Sequence, residues 1–204
     1  GATAPGIVVA SSSSGLLPSA IAARCAHPER IIVGHPFNPP YLIPLVEVVG
    51  CEETEPAVMD WAAAFYTAMG KVAIKLKREI PGYVANRLQS AVFREVIHLI
   101  NEDVASVEDI DRAISDGPGL RWAVHGPVLT FHQAHDGGMG AFIDAFADHI
   151  GAWVAAADKM PLKPEARAKL VAGAEALAAG RDHAALAAER DRAVMAFLDA
   201  KDKG

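Results

Sequence analysis

Cysteine is scarce: Cys25 and Cys51 are two residues in 204, too few and too isolated for a disulfide framework or a thiolate metal site, and both read as small buried side chains. No apolar run approaches the ~18 residues that a membrane helix needs, and the N-terminus lacks the basic and apolar segments of a secretion signal. A soluble, cytoplasmic protein with no membrane partner is the expectation. Basic residues are outnumbered, 19 against 25, for a net charge of -6, and no Lys/Arg cluster interleaves with aromatics. That pattern excludes a nucleic-acid footprint, and the field it sets up disfavours polyanionic partners. No internal repeat of solenoid period is visible. What remains is 51% hydrophobic and 22% charged, enough for one core or two small ones and incompatible with disorder over most of the chain.

The first third alternates strand and helix signals. Ile7-Val8-Val9-Ala10 reads as a buried strand closed by Ser11-Ser12-Ser13-Ser14-Gly15, and residues 16–26 carry helical spacing with Pro18 in the first turn. The chain opens on Gly1, without Met, and runs at once into that strand, as the middle of a domain would. Ile31-Ile32-Val33-Gly34 is a second strand. It stops at His35-Pro36-Phe37-Asn38-Pro39-Pro40, where the prolines exclude helix and central strand alike. Leu45-Val46-Glu47-Val48-Val49 is a third. A helix begins near Thr54-Glu55-Pro56, passes Trp61, Phe65 and Met69, and ends at Gly70. Residues 71–77 alternate strictly, Val72, Ile74 and Leu76 against three lysines, as in a half-exposed edge strand. Strands separated by helices predict an α/β layer with parallel members.

Beyond Glu79 the strand signal stops. Residues 83–102 form a long helix with Val84, Leu88, Val92, Val96 and Leu99 on one stripe and Phe93, Ile97 and Ile100 beside it, a face so wide that other helices or a second subunit must cover it. Ser106-Val107-Glu108-Asp109 is a capping box that starts another helix, with Ile110 and Ile114 inward and Gly117 at its end; Gly117-Pro118-Gly119 reads as a tight loop. At least one helix follows, around Val128 to His135 or Met139 to Trp153. The Ala-rich tail from Pro164 reads as two helices broken at Gly180-Arg181-Asp182. The expected organisation is therefore an α/β domain over residues 1–79 and an all-helical domain over 80–204.

In an open α/β sheet, ligands bind beyond the carboxyl ends of parallel strands, and Ser14 and His35 both lie just past such ends. A lone histidine is more often structural than functional. His35 has a neighbour that changes this, because Glu47 stands in the centre of an apolar strand, where an ionised carboxylate needs a hydrogen-bonding partner. The proline-rich turn brings the two within reach, and a histidine oriented by a buried carboxylate is suited to act as a general base on an alcohol. Alternation also allows Glu47 to sit on a solvent face. The serine run serves in part as turn or helix-cap chemistry, with Ser14 the residue placed to aim a hydroxyl at the rim. Asn86, in the first turn of the long helix, is by itself only a surface amide.

Taken in order and spacing, residues 9–14, Gly34-His35-Pro36-Phe37-Asn38-Pro39, Leu45-Val46-Glu47-Val48-Val49 and Pro81-Gly82-Tyr83-Val84-Ala85-Asn86-Arg87-Leu88 resemble the 3-hydroxyacyl-CoA dehydrogenase family. Pro39-Pro40-Tyr41-Leu42-Ile43-Pro44 and Gly117-Pro118-Gly119-Leu120-Arg121-Trp122-Ala123 look like the branch that contains the dehydrogenases of L-carnitine and L-gulonate, which favours a small free hydroxy acid over a CoA thioester. The resemblance implies the C-terminal part of a Rossmann-type sheet followed by an all-α domain like that of 6-phosphogluconate dehydrogenase. It implies NAD as cofactor and a homodimer formed through the helical domain. It makes His35 the catalytic base and Glu47 its partner, Ser14 and Asn86 the substrate-binding residues, and Ser12 and Asn38 contacts of the cofactor. Members of the family open with a G-x-G-x-x-G loop for the pyrophosphate, and these 204 residues contain none: Gly137-Gly138-Met139-Gly140 fails in spacing and context. The chain thus reads as the carboxyl-terminal portion of a longer enzyme.

Other readings compete. A non-catalytic dimerisation module would keep the His/Glu pair as a relic. A metal site from His125, His132, His135 and Asp136 is conceivable because His132 and His135 are one turn apart, but the site reading holds no metal. Trp122 and Phe131 serve either core packing or an aromatic wall for a quaternary ammonium.

Overall fold

Four short strands rich in β-branched residues pair in the order β1-β2-β3-β4 in a computed structural model, which describes residues 3–4, 6–156 and 163–202. They are β1 (Val9–Ser11), β2 (Ile31–Pro36), β3 (Leu45–Gly50) and β4 (Val72–Lys75), with α1 (Pro18–Ala22) after β1 and α2 (Pro56–Ala68) between β3 and β4. β1 and β2 run parallel, as do β3 and β4. β2 and β3 are antiparallel. The expectation of successive βα units fails there, because residues 37–44 alone join the two strands and a parallel crossover needs a dozen residues or more. His35 consequently lies within β2, opposite Glu47 on β3, and not beyond the strand's end.

The pleat sends alternate residues to two cores. Ile32, Val46 and Val48 face α2, where Ala62, Met59 and Tyr66 cover them, while Val33 and Val49 face the opposite way and pack with Tyr83, Leu17 and Ile21. Fully burying a side chain of this size stabilises by about 1.5–3 kcal/mol. His35 and Glu47 share the second face. Gly34 shares the first, and a Cβ there would collide with the Tyr66 hydroxyl and come within 2.6 Å of its Cζ. Gly34→Ala is therefore expected to destabilise by about 1–3 kcal/mol through overpacking, read as a lower urea midpoint at unchanged slope.

Several local expectations are corrected. β1 is an edge strand with Ile7 and Val9 exposed, so only Val8 of that run reaches the core. β4 is the other edge, but its inward residue toward α2 is the small Ala73; Val72 is exposed and Leu76 packs on the opposite face. The sequence leaves open which side of α2 meets the sheet, and Trp61, Phe65 and Met69 lie on its outer side and are exposed. Cys25 is exposed and Cys51 half-buried. Tyr83 is not helical: Gly82 and Tyr83 both take left-handed backbone, φ +77° and +50°, and the helix starts two residues later.

The chain divides into two compact units, residues 1–90 and 91–204. The helices after β4 are α3 (Ala85–Asn101), α4 (Val107–Ser115), α5 (Pro118–Val124), α6 (Pro127–His132), α7 (Gly138–Ala156), α8 (Pro164–Ala178) and α9 (His183–Asp202). Ser106 caps α4, its Oγ accepting from the Asp109 N–H at 3.0 Å and donating to Asp109 Oδ2 at 2.7 Å. Gly117-Pro118-Gly119 is the start of α5 and not a loop, since proline at the first helical position loses no hydrogen bond. Ile100, Ile110 and Ala166 join α3, α4 and α8 in the second unit's core. The wide apolar face of α3 is covered at that end, whereas Leu88 and Phe93 stay exposed. Between α8 and α9, Ala179 and Gly180 turn left-handed. Among the described residues no helix is long and apolar enough to cross a membrane.

Candidate active site

Register assembles the site. Directly opposed residues of an antiparallel pair project to the same face, so the hairpin sets the His35 imidazole beside the Glu47 carboxyl, Nδ1 to Oε2 at 2.8 Å. Glu47 has no exposure at all and His35 is 4% exposed, which removes the solvent-face alternative for Glu47. The other carboxyl oxygen, Oε1, accepts from the backbone N–H of Val84 at 2.9 Å and of Ala85 at 3.1 Å. These are orphan donors at the N-terminus of α3, where the helix dipole also favours a negative charge. One buried carboxylate thus holds both the imidazole and the helix that carries Asn86. With Glu47 accepting, the ring proton lies on Nδ1 and Nε2 keeps its lone pair.

Two aromatic rings bracket the imidazole, Phe37 edge-on at 5.3 Å and Tyr83 tilted at 5.2 Å between centroids. The Tyr83 hydroxyl donates to the Leu16 carbonyl at 2.6 Å and lies 3.3 Å from that of Ser13. Burial pushes this phenol above its usual range, and the charges of Glu47 and Glu79 push it further the same way. A raised value favours the protonated donor in the fold, so this contribution is complete below about pH 10 and is lost as pH rises through the raised value.

The serine run splits its work. Ser13 Oγ accepts from the N–H groups of Gly15 and Leu16, and Ser11 Oγ from that of Ser13, which is turn chemistry. Ser12 and Ser14 instead line a cavity of about 370 Å³ together with His35, Asn38, Asn86 and Gln89. Glu47 stands behind His35, outside that lining. All the sequence-predicted site residues therefore meet at one place in the first unit. Gln89 and Tyr83 were not among them. Gln89 had a signal, since it lies three residues after Asn86 on the same helical face, and its Nε2 donates weakly to Asn86 Oδ1 at 3.5 Å. Tyr83 had none, because its reach depends on a backbone reversal.

Among the described residues no cluster of His, Cys, Asp or Glu is arranged to hold a metal ion. His132 Nδ1 accepts from the Met139 N–H at 3.2 Å and His135 Nδ1 from the Gly137 N–H at 3.1 Å, while His125 pairs with Gln133. Phe131 stacks on Phe142 at 4.9 Å, a packing contact between α6 and α7.

Two family profiles match consecutive parts of the chain: 3-hydroxyacyl-CoA dehydrogenase, NAD binding domain, over residues 1–80, and 3-hydroxyacyl-CoA dehydrogenase, C-terminal domain, over residues 82–164. The chain is 46% identical over 203 residues to an L-carnitine dehydrogenase of Nocardiopsis dassonvillei, 99% of this chain and 62% of that protein. It is 49% identical over 201 residues to that of Streptomyces coelicolor, 98% of this chain and 63% of that protein, and 41% identical over 208 residues to that of Pseudomonas putida, covering 98% and 62%. The chain thus spans about three fifths of the length of these relatives. Among solved structures, an NAD+-dependent 5-formyl-3-hydroxy-2-methylpyridine 4-carboxylic acid 5-dehydrogenase aligns with a TM-score of 0.76 at 25% identity, covering 96% of this chain and 64% of that one. FadB2 of M. tuberculosis aligns with a TM-score of 0.54 at 31% identity, covering 57% and 41%.

Proposed function

The chain belongs to the 3-hydroxyacyl-CoA dehydrogenase family, and on that premise we propose that it serves the NAD-dependent oxidation of the 3-hydroxyl of a small, carnitine-like hydroxy acid. The observation that carries this reading is the buried His35 imidazole, tied through Nδ1 to a fully buried carboxylate while it lines a polar cavity. His35 takes the hydroxyl proton on Nε2, and Glu47 stabilises the resulting imidazolium at 2.8 Å. Ser14 and Asn86 hold the reacting oxygen and fix the orientation of its carbon. NAD, when bound, supplies the hydride acceptor.

The residues present fit one end of that cofactor. Ser12, Asn38 and the 370 Å³ cavity suit the nicotinamide beside the substrate, at the lower end of the ~300–1,000 Å³ range of small-molecule sites. No G-x-G-x-x-G loop for the pyrophosphate occurs in the 204 residues. Residues 1–79 take the nucleotide side of the work in this reading. Residues 80–204 take substrate binding, through Asn86, and homodimer formation, for which the exposed Leu88 and Phe93 offer apolar surface. The identity of 41–49% to L-carnitine dehydrogenases over nearly the whole chain supports a small free acid as substrate.

Steady-state NAD reduction by the full-length protein with L-carnitine, L-gulonate and 3-hydroxybutyryl-CoA tests this. L-carnitine is expected to lead in kcat/KM by at least ~10-fold. A lead for the thioester overturns the small-acid reading, and no reduction with any of the three favours a non-catalytic module.

A further inference from the structure

Tyr83 is more than core filler. A phenylalanine would supply the same apolar ring against Val33 and Val49. Packing alone leaves two observations unexplained. The residue is held in left-handed backbone, φ +50°, which is uncommon for a bulky aromatic and persists only where surrounding contacts impose it. Its hydroxyl also crosses to the serine loop, 2.6 Å from the Leu16 carbonyl and 3.3 Å from that of Ser13, carbonyls that flank Ser14. The next two residues send their N–H groups to Glu47. Residues 83–85 are thus a hub: the ring lies against His35, the hydroxyl holds the loop of Ser12 and Ser14, and the backbone holds the partner of His35.

We propose that Tyr83 is a positioning residue that sets the distance between the Ser14 hydroxyl and the His35 imidazole through its hydrogen bond to the Leu16 carbonyl. The proposal rests on the dehydrogenase reading. Its action is geometric: without the hydroxyl the loop keeps its own Ser11 and Ser13 turn bonds and the packing of Leu17, but loses the hydrogen bond that fixes residues 13–16 against the Tyr83 side of the cavity. Substrate oxygen held by Ser14 then wanders relative to the base, and small misplacements of this kind are costly to rate.

The test is Tyr83→Phe in the full-length protein, alone and combined with Ser14→Ala, with His35→Gln as reference. Tyr83→Phe is expected to lower kcat/KM for L-carnitine about 10-fold, with an unchanged pH profile and a melting temperature within about 4 °C of the parent. In the Ser14→Ala background the same change is expected to cost less than about 2-fold, because both act through one hydroxyl position. Wild-type turnover in Tyr83→Phe, or effects that multiply in full, overturns the proposal, as does a loss of activity that only tracks a large fall in melting temperature. Full turnover in His35→Gln would instead remove the dehydrogenase reading itself, so the two failures are told apart.

Discussion

His35→Gln is expected to lower turnover of L-carnitine by about 10²–10⁴-fold while leaving the melting temperature nearly unchanged. The asymmetry follows from the surroundings of the ring. Glutamine can still donate from its amide to Glu47 Oε2, so the buried carboxylate keeps a partner, yet it has no basic nitrogen to accept a proton. The register with β3 and the packing of Phe37 and Tyr83 remain available to it. Steady-state rates beside a thermal melt check this, and a variant with full turnover takes His35 out of the chemistry.

Glu47 carries a double load, so its substitutions are expected to separate stability from rate. Glu47→Leu strips the acceptor from three donors, the buried His35 Nδ1 and the partly buried N–H groups of Val84 and Ala85. The cost is expected to be about 3–5 kcal/mol, as when one member of a buried pair is removed, and is read from the urea midpoint. Glu47→Gln keeps the shape but turns a donor toward groups that also donate. Its turnover is expected to fall, and the rising limb of its kcat/KM pH profile to move to lower pH, because an imidazolium beside a neutral amide is less stabilised than one beside a carboxylate. An unchanged profile would leave Glu47 a purely structural acceptor.

Much of this was legible in the sequence because it depends on local patterns. A glutamate flanked by Leu45, Val46, Val48 and Val49 announces a buried charge that needs a partner, and a histidine before a proline-rich turn is the nearest candidate. Ser106 and Asp109 announced their helix in the same way. What escaped depends on the path of the chain in space. The direction of β3 relative to β2 follows from the length of the connection, which outweighs a strand count. The outward set of Trp61, Phe65 and Met69 follows from which side of α2 meets Val46 and Val48, and spacing alone leaves that choice open. Tyr83 escaped because Gly82 and Tyr83 reverse the backbone, which breaks the helical spacing its side chain would otherwise obey.

The opposition of residues 35 and 47 across the β2–β3 hairpin has one more consequence. Slipping β3 by a single position would aim the acid at α2 and leave the imidazole without it, while also turning Val49 away from Val33 and Tyr83. Misfolding and chemical incompetence are therefore the same event in this hairpin. The connecting turn is bound by the same constraint, since Phe37 packs on the imidazole and Asn38 lines the cavity, so a change there has to keep both the register and the placement of these two side chains.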